Sequence, residues 1–224
     1  MFVVEPSNLE PIRKDEEFIL YRGRQSNGPG SRAVLLLVPA STRPALETLK
    51  KIEREYSLRD ELGSAWAVRP LAVSQHRGRT ALVFEDPGGE TLDQFLPGPL
   101  EMTRFLRVAI GLATALSRVH QSGLIHKDVK PANVLVNSTT GEVRLMGFGI
   151  ASRLPRERQT PELPEFIAGT LPYMAPEQTG RMNRSIDSRS DLYALGVTLY
   201  EMLTGTLPFS ATDPMELVHC HIAR

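Results

Sequence analysis

The stretch LIHKDVKPANVL, residues 124–135, decides how the rest of this chain is interpreted. Two apolar residues lead into a polar cluster, and an apolar, strand-like run leads out. Asp128, Lys130 and Asn133 bring a carboxylate, an ammonium and an amide onto one short loop, which Pro131 stiffens. Such groups can accept a hydroxyl proton, steady a phosphate and hold a metal ion, the three tasks of phosphoryl transfer. A solvated surface loop with an ordinary charge cluster is the alternative, and the order and spacing of the residues argue against it.

The loop resembles the catalytic loop of protein kinases, His-Arg-Asp-x-x-x-x-Asn, with Lys127 in the place of the arginine. Other kinase-like motifs follow in the family's order. Residues 169–177, GTLPYMAPE, resemble the end of the activation segment, whose place is taken by a polar, Pro-rich run over 150–167. The run at 190–203 resembles the central buried helix of the large lobe. We therefore expect a kinase-like chain.

This resemblance implies a role for each matching residue. Asp128 would orient the substrate hydroxyl, Lys130 would stabilise the transferring phosphate, and Asn133 would hold a metal ion. Thr170 would bond Asp128 and Lys130 and shape the hydroxyl site, and its presence points to the Ser/Thr branch. Asp191 would cap the backbone of the catalytic loop from below, which is a structural task.

The chain before this loop has the pattern expected of a β-rich small lobe. Apolar runs with β propensity predict strands at 9–12, 18–22, 33–38, 68–73 and 80–84. A turn is predicted at 25–30, and an apolar stripe predicts a helix over 45–62 that Gly63 closes. A long helix is predicted over 102–121 and one further helix over 213–223 in the second half. Several strands plus one helix match the small lobe of a kinase in size and order.

Phosphate handling departs from the kinase pattern at three places. The segment 13–17, in the place of the Gly-rich loop, has no glycine and three carboxylates, which would repel phosphate. Leu37, or Leu36 with a slip of one, stands where the family has the strand lysine. Gly147 replaces the metal-binding aspartate before Phe148. Without a lysine to pair with, Glu55 is interpreted as a plain surface or capping acid.

The resemblance also implies a place for the cofactors, ATP and magnesium. Phe84, Glu85 and Leu135 are the predicted cofactor-binding residues. Residues 84–86 resemble the hinge that joins the two lobes of a kinase, and the backbone there would meet the adenine. The bulky Phe84 would narrow the pocket behind the adenine. Asn133 is the one retained metal ligand, and it forms a weak site because Gly147 has no side-chain oxygen.

Composition excludes several classes of protein. The 224 residues include 26 basic and 26 acidic ones, so no net charge favours nucleic acid or an anionic membrane. No apolar run is long enough to span a bilayer, and the N-terminus does not resemble a signal peptide. One cysteine, Cys220, excludes an internal disulfide and fits a reducing, cytoplasmic setting.

The predicted fold is α+β and two-lobed, with a degenerate kinase-like small lobe at 1–86 and a mainly helical large lobe at 87–224. The large lobe is expected to be truncated, because kinases carry further C-terminal helices. The run at 178–187, together with Gly-Phe-Gly, resembles the N-terminal kinase-like module of large bacterial proteins that continue into ATPase, GAF and sensor histidine kinase domains. Partners would be a protein substrate or such downstream domains.

Two functions follow from these expectations. The first is transfer of the ATP γ-phosphate to protein Ser or Thr, weakened by the three lost phosphate-handling features. The alternative is a catalytically inactive pseudokinase that acts as a regulatory or protein-binding module. Intact Asp128, Lys130 and Asn133 favour the first, and the lost features favour the second.

Overall fold

A computed structural model describes residues 9–26, 31–153, 169–182 and 184–223. The N-terminal part is a five-stranded antiparallel sheet in the order β1-β2-β3-β5-β4. Its strands are β1 (Glu10–Lys14), β2 (Phe18–Ser26), β3 (Ser31–Pro39), β4 (Pro70–His76) and β5 (Arg79–Glu85). The five predicted strands are confirmed, although β2 continues to Ser26, and the rest of the turn predicted at 25–30 lies outside the described residues.

Helix α1 (Leu46–Ser57) packs beside this sheet and is shorter than predicted. The apolar pattern continues through Leu58 and Leu62, but the backbone N–H of Leu58 donates to the carbonyls of Glu55 and Tyr56, which tightens the helix end. Leu58 and Leu62 are buried in the core of the second lobe rather than on a helix face. Tertiary packing therefore ends the helix before Gly63.

The second lobe is mainly helical. It contains β6 (Glu90–Thr91), α2 (Met102–Gln121), β7 (Leu124–Ile125), β8 (Val134–Val136), β9 (Val143–Leu145), β10 (Ser152–Arg153), α3 (Ser188–Thr204) and α4 (Pro214–Ala223). The bounds predicted for α2 are confirmed. Its first turn is capped by the side chain of Glu101, which accepts from the N–H groups of Thr103 and Arg104. Most of the segment predicted over 150–167 lies outside the described residues.

An apolar cluster joins the two lobes, and we call it the inter-lobe cluster. It consists of Phe18, Leu20, Leu35, Leu37, Ile52, Val68, Leu82, Phe84, Leu135 and Met146. Leu135 and Met146 come from the second lobe and the others from the first, so burial of these side chains holds the lobes together. The predicted α+β, two-lobed architecture is confirmed. No helix in the described ranges has the length and apolar character needed to cross a bilayer.

Candidate active site

The signature loop, residues 124–135, is held in shape by a buried carboxylate beneath it. Asp191, on α3, has no exposed surface. Its two oxygens accept from the backbone N–H groups of His126 at 2.8 Å and Lys127 at 2.7 Å, and His120 Nε2 lies 2.9 Å away. Lys127 has a positive φ of 70°, which is strained for a residue with a side chain. The predicted capping contact of Asp191 is confirmed, and it stabilises this strained turn.

His126 supports the same loop from inside the core. Its Nδ1 accepts from the N–H of Asp128 at 3.2 Å, and its Nε2 lies 3.0 Å from the carbonyl oxygen of Met146. These contacts fit a neutral ring with the proton on Nε2. Burial lowers the pKa of His126, despite the nearby carboxylates of Asp191 and Asp128. The histidine therefore has a structural task, orienting the backbone of Asp128.

The four residues predicted to be catalytic form one hydrogen-bonded group. Thr170 Oγ1 donates to Asp128 Oδ1 at 2.7 Å and accepts from Lys130 Nζ. Lys130 Nζ is also 3.1 Å from Asp128 Oδ2. The amide nitrogen of Asn133 donates to the carbonyl and the carboxylate of Asp128, each at 2.8 Å. A carboxylate fixed by a hydroxyl, an ammonium and an amide is a preorganised acceptor for a substrate hydroxyl.

A cavity of about 470 Å³ lies above this group, and Arg13 reaches into it from β1. The guanidinium donates to the carbonyl oxygen of Ala132 and, at 3.3 Å, to Asn133 Oδ1. Only 9% of the Arg13 side chain is exposed, and it pairs with Asp15 at 3.4 Å. We expected the segment 13–17 to present carboxylates that repel phosphate. All five residues of this segment line the cavity, so its carboxylates are present as expected, but Arg13 also brings a cation onto the signature loop, a contact that the sequence pattern does not indicate.

Magnesium, which the kinase resemblance implies, does not fit the residues present. The one side-chain oxygen of Asn133 accepts from Arg13, and Gly147 has no side-chain oxygen. A Cβ added at Gly147 would lie 2.7 Å from Asn133 Cγ, so the glycine is in tight contact with that amide. Among the described residues, no group of three His, Cys, Asp or Glu side chains is placed to hold a metal ion.

Glu55 is not the surface or capping acid that we expected. It is buried, and its carboxylate accepts from the backbone N–H of Gly147 at 2.9 Å. The absence of a partner lysine is thus compensated by a backbone donor from the second lobe. Burial raises the pKa of Glu55 to about 7, although this hydrogen bond and the charge of Arg13 act in the opposite direction.

Glu55→Gln should change how stability depends on pH. A carboxyl group whose pKa is raised in the folded state contributes most stability below its unfolded pKa, 4.5, and loses that contribution as pH rises through about 7. The wild type should therefore lose about 3 kcal/mol of unfolding free energy, relative to Glu55→Gln, between about pH 4 and pH 8. Urea unfolding across that range measures the difference. Glu47→Gln, at an exposed position of α1, is the control and should parallel the wild type. Parallel profiles for Glu55→Gln and wild type would contradict this assignment.

The residues predicted to bind the nucleotide base lie apart from the cavity. Phe84 is fully buried and Leu135 is 2% exposed, both within the inter-lobe cluster, so neither presents a surface on which a base could lie. Glu85 pairs with Arg32 at 2.6 Å. Between the two alternatives for the lost strand lysine, Leu37 lines the cavity, whereas Leu36 packs on the other face of the sheet. Nucleotide contact by Phe84, Glu85 and Leu135 stays a prediction.

The hinge backbone offers little to an adenine. The N–H of Glu85 donates to the carbonyl oxygen of Arg69 at 3.1 Å, and the N–H of Asp86 donates to the carbonyl oxygen of Ala33 at 3.4 Å. Pro87 has no N–H. Each donor position over 85–87 is therefore engaged or absent.

Comparisons with known proteins agree with this architecture. The protein kinase domain family matches residues 37–224. Over 143 residues, the chain is 38% identical to serine/threonine-protein kinase PknB of Mycobacterium tuberculosis. This aligned region is 63% of this chain and 22% of that protein. It is 33% identical over 183 residues to serine/threonine-protein kinase pkn3 of Myxococcus xanthus, covering 78% of this chain and 33% of the relative.

The chain thus spans about a fifth to a third of these curated relatives. The family match includes the signature loop, its supporting Asp191 and the segment with Thr170. On this match and the two-lobed fold, the chain belongs to the protein kinase domain family.

Proposed function

We propose that this chain is a Ser/Thr kinase-family signalling domain that keeps the site for a substrate hydroxyl but transfers phosphate from ATP weakly or not at all. The observation that carries the proposal is the state of Asn133. Both bonds of its amide nitrogen go to Asp128, and its oxygen accepts from Arg13. The cleft therefore combines a prepared hydroxyl site with a metal position that a cation of the chain already contacts.

Electrostatics supports the loss of the metal. At an effective dielectric constant of about 20, two unit charges about 4 Å apart interact by about 4 kcal/mol, and a divalent ion doubles this value. A metal ion beside Asn133 would meet that repulsion from Arg13 without an aspartate at position 147 to offset it. Phosphoryl transfer depends almost entirely on positioning and charge stabilisation, so the loss affects the central part of catalysis.

The residues around Asp128 support the other half of the proposal, a retained site for a substrate hydroxyl. Asp128 would accept the proton of a Ser or Thr hydroxyl, and Thr170 and Lys130 hold that carboxylate in place. A module that binds a Ser- or Thr-containing protein segment without modifying it needs only this hydroxyl site and not the metal site. This second function, a regulatory pseudokinase, is supported by contacts that join the lobes without a nucleotide: the inter-lobe cluster, and the hydrogen bond from the N–H of Gly147 to the Glu55 carboxylate.

Partners and setting belong to the same proposal. The run at 178–187 and the Gly-Phe-Gly at 147–149 support a place in a larger bacterial signalling protein, where downstream domains of the same polypeptide would receive the signal. The single cysteine supports a reducing, cytoplasmic setting.

Radiolabel transfer from ATP to a generic Ser/Thr substrate tests the proposal. We expect magnesium to raise transfer little or not at all above the level of Asp128→Asn, and calorimetry should show weak ATP binding that magnesium does not strengthen. Asp60→Asn, which removes an exposed carboxylate, is the control for charge alone. Transfer that rises strongly with magnesium and disappears only in Asp128→Asn would overturn the proposal and establish an active kinase.

A further inference from the structure

The segment 13–17, from the end of β1 through the turn before β2, forms one wall of the cavity, and we call it the strap. All of its residues line the cavity together with Asp128, Lys130 and Asn133. In a kinase, a loop in this place covers a bound nucleotide. The strap is instead held in position by side chains of the protein itself.

One end of the strap is attached to the first lobe. Glu17 Oε1 accepts from Thr48 Oγ1 at 3.0 Å, and Lys51 Nζ donates to Glu17 Oε2 at 2.6 Å. Asp15 Oδ1 accepts from the backbone N–H groups of Glu17 at 2.9 Å and Phe18 at 2.7 Å. These bonds make the strap a stiff turn that is fixed to α1.

The other end of the strap is attached to the second lobe. The guanidinium of Arg13 donates to the carbonyl oxygen of Ala132 and, at 3.3 Å, to Asn133 Oδ1. The side-chain amide of Gln94 donates to the carbonyl oxygen of Ile12, directly before the strap. The strap thus connects the two lobes at the hydroxyl site through contacts that require no ligand.

These contacts differ in kind from those that flank the strap. Ile12 packs against the inter-lobe cluster and Phe18 belongs to it, so apolar burial holds both ends. The strap itself is held by hydrogen bonds and ion pairs, whose net contribution to stability is modest because water can replace them. The strap can therefore detach from the signature loop while its flanks stay packed.

We propose that the strap is an autoinhibitory lid, which covers the hydroxyl site without a ligand and admits a protein segment to Asp128 only after Arg13 has left the signature loop. With the strap in place, the Asp128 side chain is 17% exposed. This inference goes beyond the proposed function, since it concerns access to Asp128 whether or not phosphate is transferred.

Carboxyl labelling of the whole chain with a water-soluble carbodiimide and glycine ethyl ester, followed by mass spectrometry, is the test. We expect Arg13→Gln to raise the rate of modification at Asp128 about tenfold, because the lost contacts shift the population toward the open strap. Cross-linking of activated Asp128 to Lys130 counts as modification. Glu47, on the exposed face of α1, is the internal reference and should react at the same rate in every variant.

A second variant separates a moving strap from a local effect on the amide of Asn133. Gln94→Ala leaves the contact between Arg13 and Asn133 intact and removes only the bond to the Ile12 carbonyl. It should raise modification of Asp128 by a smaller factor, about threefold, because one neutral hydrogen bond is lost.

Arg79→Gln is the matched control, since Arg79 is a half-buried arginine that donates to the carbonyls of Pro39 and Ala40 within the first lobe. It should leave the rate at Asp128 unchanged, and unfolding midpoints verify that each variant is folded. An unchanged rate in Arg13→Gln, or an equal rise in Arg79→Gln, would overturn the lid. A rise in Arg13→Gln without one in Gln94→Ala would also overturn it, because Arg13 would then act through Asn133 alone. The labelling uses neither nucleotide nor metal, so radiolabel transfer decides the proposed function separately.

Discussion

Asp191→Ala should lower the free energy of unfolding by about 3–5 kcal/mol, because it removes a buried carboxylate on which two backbone donors depend. The carboxylate is fully buried and accepts from the backbone N–H groups of His126 and Lys127. Its removal leaves both donors unpaired in the core, at about 1–3 kcal/mol each. It also removes the support for Lys127, whose backbone is strained.

Urea unfolding measures this effect, and Asp187→Ala is the matched control. Asp187 lies four residues earlier and caps the exposed start of α3, where its side chain accepts from the N–H of Arg189. Loss of an N-cap costs about 1 kcal/mol. Equal losses for the two variants would mean that Asp191 contributes no more than an ordinary cap, contrary to the geometry. A second variant, Asp191→Asn, keeps the size of the side chain but can accept with one oxygen only, and should fall between wild type and Asp191→Ala.

Phe84→Ala should cost about 3–5 kcal/mol of stability and make the cleft accessible to an adenine ring. Phe84 is fully buried in the inter-lobe cluster, beside Leu135 and next to the hinge. The truncation leaves a cavity where the kinase resemblance places the base. We therefore expect adenosine to raise the melting temperature of Phe84→Ala and to leave the wild type unchanged.

Leu82→Ala is the control for this second prediction. Leu82 lies on the same strand and in the same cluster, but two residues further from the hinge. Its truncation should cost about 2–5 kcal/mol without creating adenosine binding. Adenosine stabilisation of the wild type would show that the base site is already open, and stabilisation of both variants would show that the effect is not specific to the hinge.

Local patterns predicted most of the architecture. The bounds of α2 agree with expectation, and β8 forms in the strand-like run that follows the signature loop, because a periodic apolar face and a short apolar run between polar segments are signals within the elements themselves. The error at the end of α1 has a different origin. Leu58 and Leu62 continue a helical pattern, yet they are buried against another lobe, and this packing is not visible in the spacing of residues within one segment.

The candidate site was predicted only in part, because some of its residues belong to a local motif and others depend on packing between the lobes. The motif carried Asp128, Lys130, Asn133 and Thr170, and the structure brings them together. The burial of Arg13 and Glu55 was missed because their decisive contacts are far apart in sequence. The partners of Arg13 lie 119 and 120 positions away, and the partner of Glu55 lies 92 positions away. A charged residue in an acidic turn and an acid without its usual partner both resemble surface positions. Only the arrangement of the two lobes shows that each is buried.

The contact between Gly147 and Asn133 bears on the evolutionary history of the chain. An aspartate returning to position 147 would have to adopt a φ of +83° and place its Cβ 2.7 Å from Asn133 Cγ, next to the carboxylate of Glu55. Reversion of this one position therefore brings a cost before any benefit, unless Asn133 and Arg13 move as well. A chain with this contact is therefore expected to acquire a side-chain oxygen at position 147 only together with a second substitution that moves the Asn133 amide.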